Sequence, residues 1–476
     1  MLSQIIDYSN PNPLISAQQK TSRKSKKPPE NWFSKIISKP NLTVPIATLT
    51  IFAIFFGYNF AFRTGGAVSS SVASFSNSEN RSITPRRVFS LSKELEFEAN
   101  TLNHILITGQ SLAVGETGIP ALSDFQPYAN LRINNGRIEA LIENITLPGF
   151  KLKSESIGSG FANHTTFNSK NQKYQVIISN NGRGGAKYES LKKGTELYQK
   201  NLNEVKIAAE YAKSQNLKYQ VKAIFVIHGE SDNQAGNGSN YQGFLQEWQK
   251  DYNQDIQSLT GQKDDIYLFT DQLSSFGNIF ATKEKSDPAT ALAQLAASKN
   301  PQIVLVAPKY FLDYTDNLHL NNFSYRKLGE YYAKAYGQTI LQNKKWEPVR
   351  PIDTKLDGNI IKIKFEAPKL PLVLDTSSLQ RENYGFRLSE KGPNPAKIQK
   401  VQINNDTVEI TLDKPPKNAK IQYALDAIYN AAESGGGTGN NRVGAAAGNL
   451  RDSDQTPSIY GNNLSNWAVH FEEILE

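Results

Sequence analysis

Three polar residues stand out for the chemistry their types and spacing could perform: Ser111, Asp316 and His319. Asp316 precedes His319 by three residues in Asp316-Asn317-Leu318-His319, so on a turn its carboxylate can accept the imidazole Nδ1–H while Nε2 points elsewhere. That contact fixes the tautomer and stabilises the imidazolium formed when the ring acts as a general base. The competing reading is a polar turn in which Asp316 caps the next helix. Ser111 lies in Thr108-Gly109-Gln110-Ser111, behind the apolar run that starts at His104. Glycine lets the chain turn sharply there and project the hydroxyl at a sheet edge, or else Ser111 caps a helix. The segment is not a Gly-x-Ser-x-Gly elbow, because Ala113 stands where the second glycine would be. A serine served by an imidazole and a carboxylate performs acyl transfer.

Two further apolar runs end in glycine and polar residues. Tyr174–Ser179 leads into Asn180-Asn181-Gly182-Arg183-Gly184-Gly185-Ala186, where bare backbone N–H groups would face a substrate oxygen. Ala223–Ile227 leads into His228-Gly229-Glu230-Ser231-Asp232. Each segment alone is also an ordinary turn, but three together favour a shared site. The chain has five histidines. His104 starts the first run and reads as structural, His164 sits in a helix-like stretch, and His470 reads as a half-buried residue of a late strand. His228 and His319 remain.

Short apolar runs at Ile105–Thr108, Tyr174–Ser179, Ala223–Ile227, Ile266–Phe269 and Ile303–Ala307 alternate with stretches of helical period. Those stretches are Glu196–Ala212, Tyr241–Ile256, Ala289–Ala297 and Tyr325–Leu341. The alternation predicts an α/β domain over residues 95–345: a parallel sheet between two helical layers, with functional groups at the strands' carboxyl ends. After Trp346 the pattern becomes strand-like, at Ile360–Phe365, Lys400–Ile403, Val408–Leu412, Lys420–Ala424 and Trp467–Phe471, which predicts a small β-sandwich over residues 346–476. Gly435–Gly448 lacks the Lys-Ser/Thr of a phosphate cradle and reads as a loop.

Of the formal charge of +8, residues 1–65 carry +6, leaving +2 for the other 411 residues. A nearly neutral body implies no nucleic-acid partner. The absence of cysteine excludes disulfides and thiolate metal sites, and the expected chemistry needs no metal or cofactor. Leu42–Phe62 carries no charge. At about 1.5 Å per residue it reaches roughly 30 Å, the thickness of a bilayer's hydrocarbon core. A basic segment precedes it, which predicts a single-pass transmembrane helix in the cell membrane. Residues 1–41 would then be a cytoplasmic tail, residues 63–94 a linker, and the catalytic domain extracytoplasmic. A cleaved signal peptide and a buried core helix are the rival readings, and the long leader and Arg63 directly after the segment favour an anchor.

With Gly109-Gln110-Ser111, Gly182–Gly185, His228-Gly-Glu-Ser-Asp232 and Asp316-x-x-His319 in this order, the chain resembles the SGNH (GDSL-type) hydrolases. Within them it is most similar to the sialate O-acetylesterase-like carbohydrate esterases. The resemblance spans Leu102–Gly337 and includes Gly158-Ser-Gly160-Phe161-Ala162. It implies removal of O-acetyl groups from a polysaccharide or other glycan by Ser111, His319 and Asp316. The N–H groups of Ser111 and Gly185, with His228, would meet the oxyanion, and Gln110, Gly184 and Glu230 would line the substrate. Two departures stand against the pattern: Leu112 where the family often has Asn, and His228 where it has Gln. They motivate a non-catalytic carbohydrate-binding or adhesion protein on an inactive hydrolase scaffold as one alternative. A polysaccharide O-acyltransferase is the other.

Overall fold

The computed structural model describes residues 98–476, except 145, 147–151, 277–286, 317, 378–379 and 426–445. The Leu42–Phe62 segment and most of Gly435–Gly448 lie outside these residues. Among the described residues no helix is long and apolar enough to cross a membrane.

The first part of the chain builds one seven-stranded sheet. Its strands are β1 (Thr101–Gly109), β2 (Leu131–Asn134), β3 (Arg137–Ala140), β4 (Gln175–Asn180), β5 (Lys218–Ile227), β6 (Tyr267–Gln272) and β7 (Ile303–Pro308). They lie in the order β3-β2-β4-β1-β5-β6-β7, all parallel except the β2–β3 hairpin. Among the described residues six helices accompany them: α1 (Ile157–Asn168), α2 (Glu196–Ser214), α3 (Glu230–Gln234), α4 (Tyr241–Thr260), α5 (Ala289–Ala297) and α6 (Asn322–Tyr336).

Successive strand residues point to opposite faces, and both faces here are apolar. Ile105, Ile107, Phe225, Phe269, Val304 and Val306 meet Phe161 of α1 and Leu328, Tyr332 and Tyr336 of α6. Leu106, Ile224, Val226 and Leu268 meet Tyr198 and Leu202 of α2 and Trp248 and Tyr252 of α4. All nine residues of β1 are buried, as expected of a central parallel strand covered on both sides. Burying each Leu, Ile or Phe contributes roughly 1.5–3 kcal/mol. Helices α1 and α6 touch at their backbones through Gly160, where a Cβ would stand 2.0 Å from Arg326 O.

Beyond Trp346 the sheets are antiparallel. The strands are β8 (Arg350–Asp357), β9 (Ile360–Glu366), β10 (Leu372–Leu374), β11 (Phe386–Glu390), β12 (Ile398–Asn404), β13 (Thr407–Leu412), β14 (Ala419–Tyr423), β15 (Leu450–Asp452) and β16 (Phe471–Ile474). They form sheets ordered β12-β13-β9-β8, β11-β14-β16 and β10-β15. Phe365 of the first meets Phe471 of the second, ring centroids 5.7 Å apart. The strand expected at Trp467–Phe471 starts only at Phe471; Trp467 makes an isolated bridge to Arg451. Residues on either side of Trp346 share one core: Trp467 stacks on Phe311 at 5.5 Å, and Tyr310 OH donates to Ala468 O at 2.6 Å.

Candidate active site

The strand order reverses direction about β1: the chain leaves it for β2 and β4 on one side, then returns for β5 on the other. Parallel sheets open a crevice at the carboxyl ends beside such a reversal. Ser111 stands at that end, two residues after β1. Gly109 makes the turn with φ +142°, and a Cβ there would sit 2.1 Å from Ile227 O. No other residue fits without displacing β5. Residues 111–117 continue in consecutive turns, so no helix begins at Ser111 for it to cap.

His319 comes from the far edge of the sheet. The loop after β7 returns over β6 and β5, three strand spacings or roughly 14 Å, and brings its imidazole to Ser111. Nε2 accepts the Ser111 hydroxyl at 2.8 Å, and Nδ1 donates to Asp316 Oδ2 at 2.9 Å. The other carboxylate oxygen, Oδ1, accepts the N–H of Leu318 at 2.7 Å and of His319 at 2.5 Å. The cap of α6 is Asn321, whose side chain accepts Ser324 N–H, so Asp316 orients the imidazole rather than a helix. Partial burial raises the Asp316 carboxyl, but the hydrogen bonds and charge of His319 outweigh it and hold the group below the usual carboxylate range.

The glycine segment lies against this pair. Arg183 N–H donates to Gly109 O at 3.0 Å, and a Cβ on Gly182 would be 2.8 Å from Ala113 Cβ. Gly184 and Gly185 are exposed, and their N–H groups, like that of Ser111, have no acceptor among the described residues.

The His228 segment braces this arrangement from beneath. Nε2 of His228 donates to Ala186 O at 2.9 Å, and Nδ1 accepts Tyr241 OH at 2.7 Å. The ring is fully buried, and desolvation pushes its pKa down despite the pull of Asp232. Both nitrogens are occupied within the protein, so His228 holds the glycine loop in place and does not face a substrate oxygen. Glu230, expected to line the substrate, turns inward to Lys309 at 2.6 Å. Gln110 is also buried, and its side-chain oxygen accepts Ser231 N–H at 3.0 Å. Leu112 packs into the core shared by α1 and α6.

The remaining histidines serve the fold. His104 bonds Tyr219 OH and Ser179 Oγ, and burial lowers it to about 3. His164 pairs with Glu330 at 2.9 Å. His470 is fully buried rather than half-buried, because its ring is held between Ser274 Oγ and Ala424 O. Lys309 and Asp271 were not singled out from sequence. The signal was a lysine directly behind the apolar run Ile303–Pro308, where a charge must find a buried partner. Among the described residues no group of three or more acidic or histidine side chains is placed to hold a metal ion.

Comparison with known proteins bears on the same segment. Residues 104–338 match the family described as "Carbohydrate esterase, sialic acid-specific acetylesterase". No curated protein matches the sequence. A carbohydrate acetylesterase from Xanthomonas citri is 15% identical, with 78% of this chain and 80% of that chain covered and a TM-score of 0.49. A protein from Arabidopsis thaliana is 19% identical, with 50% and 98% covered and a TM-score of 0.40. A carbohydrate acetylesterase from Sinorhizobium meliloti is 11% identical, with 49% and 97% covered and a TM-score of 0.29. Through residues 104–338 the chain belongs to the carbohydrate esterase, sialic acid-specific acetylesterase family, and it is a carboxylic ester hydrolase.

Proposed function

We propose that this chain removes O-acetyl groups from a carbohydrate through a serine acyl-enzyme, on an SGNH-type three-layer domain followed by a small β-sandwich. His319 Nε2 takes the Ser111 proton as Oγ attacks the acetyl carbonyl, and Asp316 stabilises the imidazolium. The unengaged N–H groups of Ser111 and Gly185 stabilise the oxyanion, and losing one such donor typically raises a barrier by about 3–4 kcal/mol. The imidazolium then protonates the departing sugar oxygen. Water, deprotonated by His319, attacks the acetyl-serine, releases acetate and restores Ser111.

One observation carries this reading. A serine and a histidine 208 residues apart meet at 2.8 Å, while the second imidazole nitrogen is held by a carboxylate at 2.9 Å. The chemistry is tested by hydrolysis of an aryl acetate and of an O-acetylated sialic acid, wild type against Ser111→Ala. Loss of turnover in the variant supports the reading, and equal turnover sinks it. Excess sugar acceptor in the same assay separates hydrolysis from transfer, because a transferase forms new ester faster than free acetate.

The proposal includes a location. Leu42–Phe62 anchors the chain, and the esterase faces a surface or extracellular polysaccharide. Protease treatment of intact cells should then shed an active soluble fragment, whereas retention of all activity in the cytosol rejects the anchor.

A further inference from the structure

Lys309 is the first residue after β7 and the start of the loop that carries Asp316 and His319. Its side chain and that of Glu230 are 1% exposed, and that of Asp271 is fully buried. The ammonium lies 2.6 Å from Glu230 Oε1 and forms an ion pair with Asp271 Oδ2 at 2.7 Å. Asp271 belongs to β6 and accepts Tyr332 OH of α6 on its other oxygen at 2.8 Å. Glu230 opens α3, directly behind β5. The side chain just after β7 therefore pairs with β6 and with the helix that follows β5, the same direction in which the loop carries His319 back to Ser111.

The nucleophile is tied to the same cation. Ser231, next to Glu230, donates its N–H to the Gln110 side chain, and Gln110 precedes Ser111 and donates its own N–H to Ile227 O at 3.2 Å. On the loop side, Lys309 N–H donates to Gln272 O at 3.1 Å and Lys309 O accepts Leu312 N–H at 3.0 Å. Burial lowers the Lys309 ammonium, but the two carboxylates outweigh that and keep it charged. A buried charge with hydrogen-bonded partners resists displacement because any shift strands an ion in a medium of low dielectric.

We propose that Lys309 is a positioning residue for ester hydrolysis: it clamps the ends of β5, β6 and β7 together and thereby sets the 2.8 Å approach of His319 to Ser111. The clamp rests on the serine-esterase reading above. A misplacement on the order of 1 Å at such a pair lowers the rate about 100-fold.

The test uses the full chain and an aryl acetate, with kcat expressed per active site titratable by a fluorophosphonate. For Lys309→Met the expected result is a fall in kcat of more than tenfold with KM within threefold of wild type. A fall of tenfold or less overturns the clamp, because a residue that only stabilises the fold changes the number of active sites and not their turnover. If Lys309→Met does not fold, the triple variant Lys309→Met/Glu230→Gln/Asp271→Asn removes the stranded charges and decides the matter. Low kcat in a cooperatively melting triple variant supports the clamp, and wild-type kcat rejects it. Ser111→Ala run alongside keeps the two readings apart. An inactive Ser111→Ala with a fully active Lys309 variant removes the clamp alone, whereas an active Ser111→Ala removes the esterase mechanism beneath it.

Discussion

Two of the carboxylate–imidazole pairs among the described residues do different things. In the first, Asp316 holds Nδ1 of His319 at 2.9 Å, the carboxylate is half-exposed, and the other ring nitrogen accepts a serine hydroxyl at the mouth of the sheet. In the second, Glu330 of α6 holds Nδ1 of His164 at 2.9 Å, and both side chains are buried. The carboxylate of that second pair is filled from elsewhere: Ile459 N–H donates to Oε1 at 2.8 Å and Ser458 Oγ donates to Oε2 at 2.5 Å. Glu330 thus pins the segment around Ser458 to α1 and α6. The chemistry of the pair is the same in both places. What differs is that the second ring nitrogen of His319 accepts a serine hydroxyl at the carboxyl end of β1.

That contrast breaks most visibly at His319. His319→Gln should lower kcat/KM on an aryl acetate by about 10⁴-fold or more, since members of such a triad act as a unit, while the melting temperature stays close to that of wild type. Asp316→Asn should lose somewhat less, about 10³-fold, because its half-exposed carboxylate leaves room for water to support the ring. The opposite signature is expected at the second pair. His164→Leu removes one hydrogen-bond partner from the buried Glu330 carboxylate and should destabilise the fold by about 1–3 kcal/mol, with kcat per titrated active site unchanged. A denaturant titration beside an active-site titration checks both halves. Loss of turnover in the His164 variant at full active-site count would erase the distinction.

A smaller effect concerns a carboxylate with no imidazole at all. Glu155 accepts Leu122 N–H, Ser123 N–H and Ser123 Oγ, in the wall that follows Ser111. Burial, and then the charge of Glu143, pushes it up to about 7. A carboxyl whose folded pKa lies above its unfolded value stabilises most when protonated, and that contribution is lost as pH rises from the unfolded value through the folded one. Wild type should therefore lose a few degrees of melting temperature between about pH 4.5 and pH 7 relative to Glu155→Gln. Parallel melting curves for the two proteins across that range would contradict the assignment.

How much of this was legible in the sequence follows from how local each contact is. Asp316 and His319 are three residues apart, so their pairing was one of two readings open on that turn, and Ser111 stood as nucleophile or helix cap until the four segments were taken in order. The five buried strands were legible because continuous apolar runs are what a doubly covered sheet requires. The β2–β3 hairpin was missed, although Asn135-Gly136 between Leu131–Asn134 and Arg137–Ala140 is a strong hairpin signal. Its half-buried strands are short and charged, so they lack an apolar run. The role of His228 was not legible, because its partners Tyr241 and Ala186 meet it only in the folded chain. Glu230 looked like a substrate contact for the same reason. Its partner, Lys309, lies 79 residues away, and nothing local shows that the two point at each other.

The nucleophile can be read directly by reacting the full chain with a fluorophosphonate and mapping the adduct by peptide mass spectrometry. A single adduct on Ser111 is expected, formed in step with loss of aryl acetate hydrolysis, absent from Ser111→Ala and strongly slowed in His319→Gln. Complete inactivation with the adduct on any other residue, or unchanged labelling in His319→Gln, would contradict a serine activated by His319.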